Sequence, residues 1–162
     1  MKLFLYSAIL LLLAPCNKPK QTADTAPEKS KKITIVYQTS ACFGKCPVYK
    51  LTINGESKLA TYIGQQNTQR NGTFVKKVSD KELADFIAAF DKAKFTTMAN
   101  EYLGSITDFP IKTISYTVDG NTKVVKGRSQ EPEELTTLEK MLAGYANSDG
   151  WNPTSDSGNS QD

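Results

Sequence analysis

The chain has 162 residues, 39% apolar and 23% charged, a balance that suits one globular domain and leaves no room for two. Its net charge of +3 is small and scattered among alternating lysines and carboxylates, which argues against a nucleic-acid partner. The chain contains no histidine, so Ser-His-Asp and Cys-His catalysis, zinc-peptidase helices and c-type haem attachment are excluded.

The N-terminus, MKLFLYSAILLLLAPC, carries one lysine and an apolar run over residues 3–13, followed by small residues before Cys16. That run is far shorter than the roughly 20 residues of a membrane-spanning helix and reads as the h-region of a signal peptide over residues 1–15. The cysteine after it resembles the lipobox of bacterial lipoproteins, with Leu13 and Ala14 in place and Pro15 as the departure. The resemblance implies lipidation at Cys16 and a chain held on a membrane of the bacterial envelope, periplasmic or surface-exposed. An unlipidated secreted protein is the alternative. Residues 17–32, NKPKQTADTAPEKSKK, have no large apolar side chain and cannot bury a core, so residues 16–32 are expected to be a flexible tether of about 20–24 Å. Asp24-Thr25-Ala26 within it resembles a short bacterial O-glycosylation pattern.

The folded part is expected over residues 33–151. ITIVY at 33–37 and PVYKLTI at 47–53 read as strands, the second with Tyr49, Leu51 and Ile53 on one face. Asn54-Gly55 predicts a tight hairpin into 57–63, and TFVKKV at 73–78 adds a strand after a polar loop at 65–72. Ser79 and Glu82 stand at capping-box spacing before Leu83, Phe86, Ile87 and Phe90, which share a helical face. An irregular stretch over 95–110 leads to a strand at 111–118, a turn at Asp119-Gly120 and a strand at 121–126. Pro132 then precedes Leu135, Leu138, Met141, Leu142 and Tyr145 at helical spacing. The expected architecture is a two-layer α+β domain: an antiparallel sheet of five to six strands with two helices on one face. Residues 152–162, NPTSDSGNSQD, read as a disordered tail.

With Cys16 assigned to lipid, Cys42 and Cys46 remain, and an exported location favours a disulfide between them. Gly44 lends the short loop freedom, and Pro47 suits the first position of a strand. Such a pair is a structural staple, a redox centre or two free thiols; the three-residue spacing and the following strand disfavour redox chemistry. Zinc fails for want of ligands, so no metal or other cofactor is expected. Glu101, Asp108 and Asp119 show no spacing that pairs them as catalytic carboxylates.

Residues 42–53, CFGKCPVYKLTI, resemble the opening signature of a domain-of-unknown-function family of bacterial exported proteins and lipoproteins, C-F-G-x-C-P-x-Y, in which Cys42, Phe43, Gly44, Cys46, Pro47 and Tyr49 are the motif residues. The similarity continues through the central helix, T-D-x-P at 107–110, the Asp-Gly hairpin and Trp151. It implies an exported α+β module of unassigned activity. Three functions compete: a tethered binding or structural module with an envelope protein or small ligand as partner, a thiol-disulfide protein using Cys42 and Cys46, and a hydrolase or hydrolase inhibitor working through loops 65–72 or 95–110. The first is favoured, and an enzyme is the less favoured outcome.

Overall fold

The computed structural model describes residues 31–154. In chain order these form β1 (Ile33–Thr39), β2 (Val48–Asn54), β3 (Leu59–Gln66), β4 (Gly72–Lys77), α1 (Asp80–Lys92), a 3-10 turn (Phe95–Thr97), β5 (Glu101–Tyr102), β6 (Lys112–Val118), β7 (Asn121–Gly127), α2 (Glu133–Asn147) and β8 (Asn152–Pro153). The class is α+β with two helices, as expected. The single sheet runs β5-β7-β6-β1-β2-β3-β4-β8.

Two corrections follow. The sheet has eight strands rather than five or six, and it is mixed rather than antiparallel, because β5 pairs parallel to β7. Both added strands are two residues long. A two-residue strand has no period-2 pattern to recognise and exists because a neighbour supplies its hydrogen bonds. The strand β8 also carries the ordered domain past residue 151, pairing Asn152 and Pro153 with Val75 and Phe74. The signal peptide, Cys16, most of the tether and the tail beyond residue 154 lie outside the described residues.

Period-2 alternation decides which face is buried. Ile35 and Tyr37 of β1 pair with Ile53 and Leu51 of β2 on one side and with Tyr116 and Ile114 of β6 on the other, and these residues, with Ile33 and Tyr49, are all buried. Phe86 and Phe90 of α1 and Leu135, Leu138, Leu142 and Ala146 of α2 belong to the same apolar cluster. Phe90 stacks on Tyr116 with ring centroids 4.4 Å apart, and the edge of Phe86 meets Tyr145 of α2 at 5.1 Å. The capping box forms: Glu82 N donates to Ser79 Oγ at 3.2 Å and Ser79 N to Glu82 Oε2 at 2.8 Å.

The two hairpin signals are used differently. Asp119 and Gly120 both take positive φ, 50° and 86°, as a two-residue turn requires. Asn54-Gly55 does not form the tight turn. Asn54 Oδ1 accepts from the backbone of Glu56 and Ser57, each at 2.9 Å, and the positive φ falls on Lys58. An Asx turn competes with the two-residue hairpin wherever asparagine's carboxamide reaches the next amides.

Candidate binding cleft

The segment between β1 and β2 folds as a small closed loop. Thr39 Oγ1 donates to Pro47 O at 2.6 Å and accepts from Tyr49 N at 3.2 Å, clamping the loop base. The sulfurs of Cys42 and Cys46 are at bonding distance, with Cα atoms 5.7 Å apart. Gly44 N donates to Cys42 Sγ at 3.2 Å. The freedom expected of Gly44 is not used: its φ is not positive, and an added Cβ would meet only Cys42 Sγ, at 3.9 Å. Phe43, at the tip, is 91% exposed.

Neighbouring segments hold this loop in place. Ser40 N donates to Ile111 O at 3.0 Å, and Ile111 N donates to Ser40 Oγ at 2.8 Å. Asn67 Nδ2, from the β3–β4 loop, donates to Cys46 O at 3.2 Å. The segment before β6 exposes two further large apolar side chains, Ile106 and Phe109. Both loops therefore leave the same end of two adjacent strands, and both expose aromatic surface there.

Between these loops and the end of α2 opens a cleft of about 410 Å³, within the usual range for small-ligand sites. Its floor is the row Tyr37, Tyr49 and Tyr62, one tyrosine from each of β1, β2 and β3, with successive ring centroids 5.9 and 5.3 Å apart. Burial pushes the Tyr49 phenol up to about 12 and the Tyr37 phenol well above its ordinary value, so both stay neutral. Tyr62 is raised by burial too. Pro47 of the disulfide loop and Pro110 before β6 form apolar walls, and Asn67, Gln69 and Asn147 line the cleft with exposed carboxamides.

One wall carries charge. Lys112, at the start of β6, forms ion pairs with Glu139 of α2 and with Glu131 Oε1, the latter at 3.0 Å. Glu139 is 4% exposed, and its burial raises its pKa against the opposing pull of Lys112. Burial depresses the Lys112 pKa, but hydrogen bonds and attraction from the two carboxylates more than reverse this, and the net direction is upward. Gly127 makes the arrangement possible, since a Cβ there would lie 2.7 Å from Glu131 Oε1 and 2.9 Å from Glu139 Oε1. Arg70, on the cleft's other side, is occupied: Nη1 donates to Ala146 O at 2.8 Å and Nη2 to Ser148 O at 3.1 Å, closing the C-terminus of α2.

The six motif residues divide by role. Cys42 and Cys46 close the loop, Phe43 and Gly44 are exposed on it, Pro47 walls the cleft and Tyr49 floors it. The carboxylates Glu101, Asp108 and Asp119 each have their own local partner: Lys126 at 3.0 Å, Thr107 at 3.5 Å, and the backbone of Lys32 at 2.9 Å. Among the described residues no group of Cys, Asp and Glu has a metal-binding arrangement, and no helix is long and apolar enough to cross a membrane. Sequence reasoning missed the Lys112–Glu139 pair. Its signal was present: Leu135, Leu138, Glu139, Leu142 and Ala146 are the buried positions of α2, and only one is charged.

The family described as Domain of unknown function (DUF6438) matches residues 33–146. No curated protein matches the chain.

Proposed function

The chain belongs to the DUF6438 family, and from that premise we propose that it is a binding module of the bacterial envelope, tethered by lipid on Cys16 and binding through the cleft end of its sheet. In this reading the C-F-G-x-C-P-x-Y stretch at 42–49 is the family's recognition loop rather than a redox centre. We also infer that α1 and α2 cover the same face of the sheet, because their buried residues share one cluster with the inward positions of β1, β2 and β6.

The observation that carries the reading is Phe43. A phenylalanine left in water forgoes about 1.5–3 kcal/mol of burial, yet this one is 91% exposed on a loop closed by a covalent bond. A loop closed by a disulfide has lost part of its backbone entropy before a partner arrives, which favours binding through the aromatic side chain it carries. The layout is consistent with a tether. It joins at Ile33, the start of β1, whereas the disulfide loop leaves from Thr39, six residues and about 20 Å further along the strand. An anchored domain thus presents its cleft away from the point of attachment.

The test is retention of the purified chain, carrying Cys16→Ser so that lipid does not contribute, on isolated bacterial envelope fragments. Saturable retention that falls at least tenfold in Phe43→Ser supports the proposal. Equal retention of chains with and without Phe43→Ser, or none at all, overturns it.

A further inference from the structure

We propose that the cleft is a saccharide site that takes an uncharged sugar, with Gln69 and Asn147 as its principal hydrogen-bonding residues. The proposal rests on the reading of this end of the sheet as a binding end and names the ligand class.

Charge is the first discriminator. Lys112 is the only ionisable cation in the lining, and Glu139 and Glu131 already bracket it, so an anionic ligand meets no free positive charge. Those carboxylates are not themselves in the lining, so a cationic ligand meets no free negative one. A neutral ligand remains.

Hydrogen-bonding capacity is the second. The tyrosines on the floor are buried, whereas at the rim Gln69 and Asn147 are exposed and their carboxamides have no partner among the described residues. Each carboxamide offers donors and an acceptor on one planar group. A sugar hydroxyl also donates and accepts, so two or three such groups around a compact cleft suit a polyol. A wholly apolar ligand would desolvate these carboxamides with no bond in return, which costs free energy. Pro47 and Pro110 supply the apolar surfaces on which the C–H faces of a sugar ring can rest.

Topology is the third. The floor comes from β1, β2 and β3, interior strands whose edges are paired on both sides, so no free strand edge is offered to the backbone of an extended peptide.

The experiment is calorimetric titration of the full chain, in detergent, with four-unit chito-, cello-, malto- and xylo-oligosaccharides. The expected result is saturable binding of at least one, weakened at least tenfold in the double variant Gln69→Ala, Asn147→Ala and unchanged in Lys77→Ala, which lies on an exposed strand position away from the cleft. Absence of binding by all four, or binding that the double variant leaves unchanged, overturns the proposal. Failure here alongside Phe43-dependent envelope retention removes the saccharide assignment alone; failure of both assays removes the binding-module reading as well.

Discussion

Lys112 of β6 and Glu139 of α2 form an ion pair across the interior, and Gly127 of β7 lies under the Glu139 carboxylate because any side chain there would displace it. This contact joins a helix to the sheet beside the cleft through charge in a region otherwise held by apolar packing. Removing one member of a buried pair strands the other charge, at a typical cost of about 3–5 kcal/mol. Lys112→Met should therefore lower unfolding stability by several kcal/mol in a denaturant titration. Lys112→Met with Glu139→Leu should recover part of the loss, because Glu131 still lacks its lysine partner. Equal destabilisation by the single and double variants would mean that the pair's charges do not interact.

Gly127→Ala tests the same region without altering charge. Its Cβ would overlap two carboxylate oxygens, and overpacking of this kind costs about 1–3 kcal/mol. Adding Glu131→Ala should return part of that loss, because it removes one of the two overlapping groups. Thermal melts of the single and double variants decide the matter.

Alkaline pH should unfold the domain through the floor of the cleft. Tyr49 is 5% exposed, and its phenol is raised from 10.0 to about 12. A group whose folded pKa is raised adds stability that is present below the unfolded pKa and is lost as pH climbs through the folded one. For Tyr49 the window is pH 10 to about 12, and two units correspond to roughly 2–3 kcal/mol. Circular dichroism and phenolate absorbance should change together in that window. Tyr49→Phe should flatten the stability loss there.

Opening the disulfide by Cys42→Ser and Cys46→Ser should cost about 2 kcal/mol, the chain-entropy value for so short a loop, and leave the fold intact. The larger effect should fall on binding, since the loop that carries Phe43 would no longer be closed. A reduction potential below about −300 mV fits a staple, and one near −200 mV or above would mean that the pair exchanges in the envelope.

Cys16→Ser should move the chain from the membrane fraction to the soluble fraction of cells and abolish incorporation of labelled palmitate. Under the proposed anchor, several acyl chains at about 0.8 kcal/mol per buried methylene would hold the chain stably, so an unchanged distribution would refute it.

Much of the fold was legible in the residues. Six strands, both helices and the Ser79–Glu82 capping box follow from alternation, helical spacing and cap chemistry, each of which acts within a few residues. The Asn54-Gly55 turn was misread because two local solutions compete for one dipeptide, and contacts elsewhere chose between them: Gly55 N donates to Ile33 O at 2.8 Å, across the hairpin's neighbour.

By itself, then, the sequence determined the α+β class, the inward faces of the elements, the candidate cysteine pair and the exclusion of histidine-dependent chemistry, because these depend on residue type and short-range spacing. Only the tertiary structure decided that Pro47 and Pro110 face one cleft, that three tyrosines from successive strands floor it, and that Lys112 meets carboxylates 19 and 27 positions away. The two-residue strands β5 and β8 belong to the same class of facts. Each depends on which distant segments become neighbours, a choice made by burial of the whole core and not encoded in the period of any one segment.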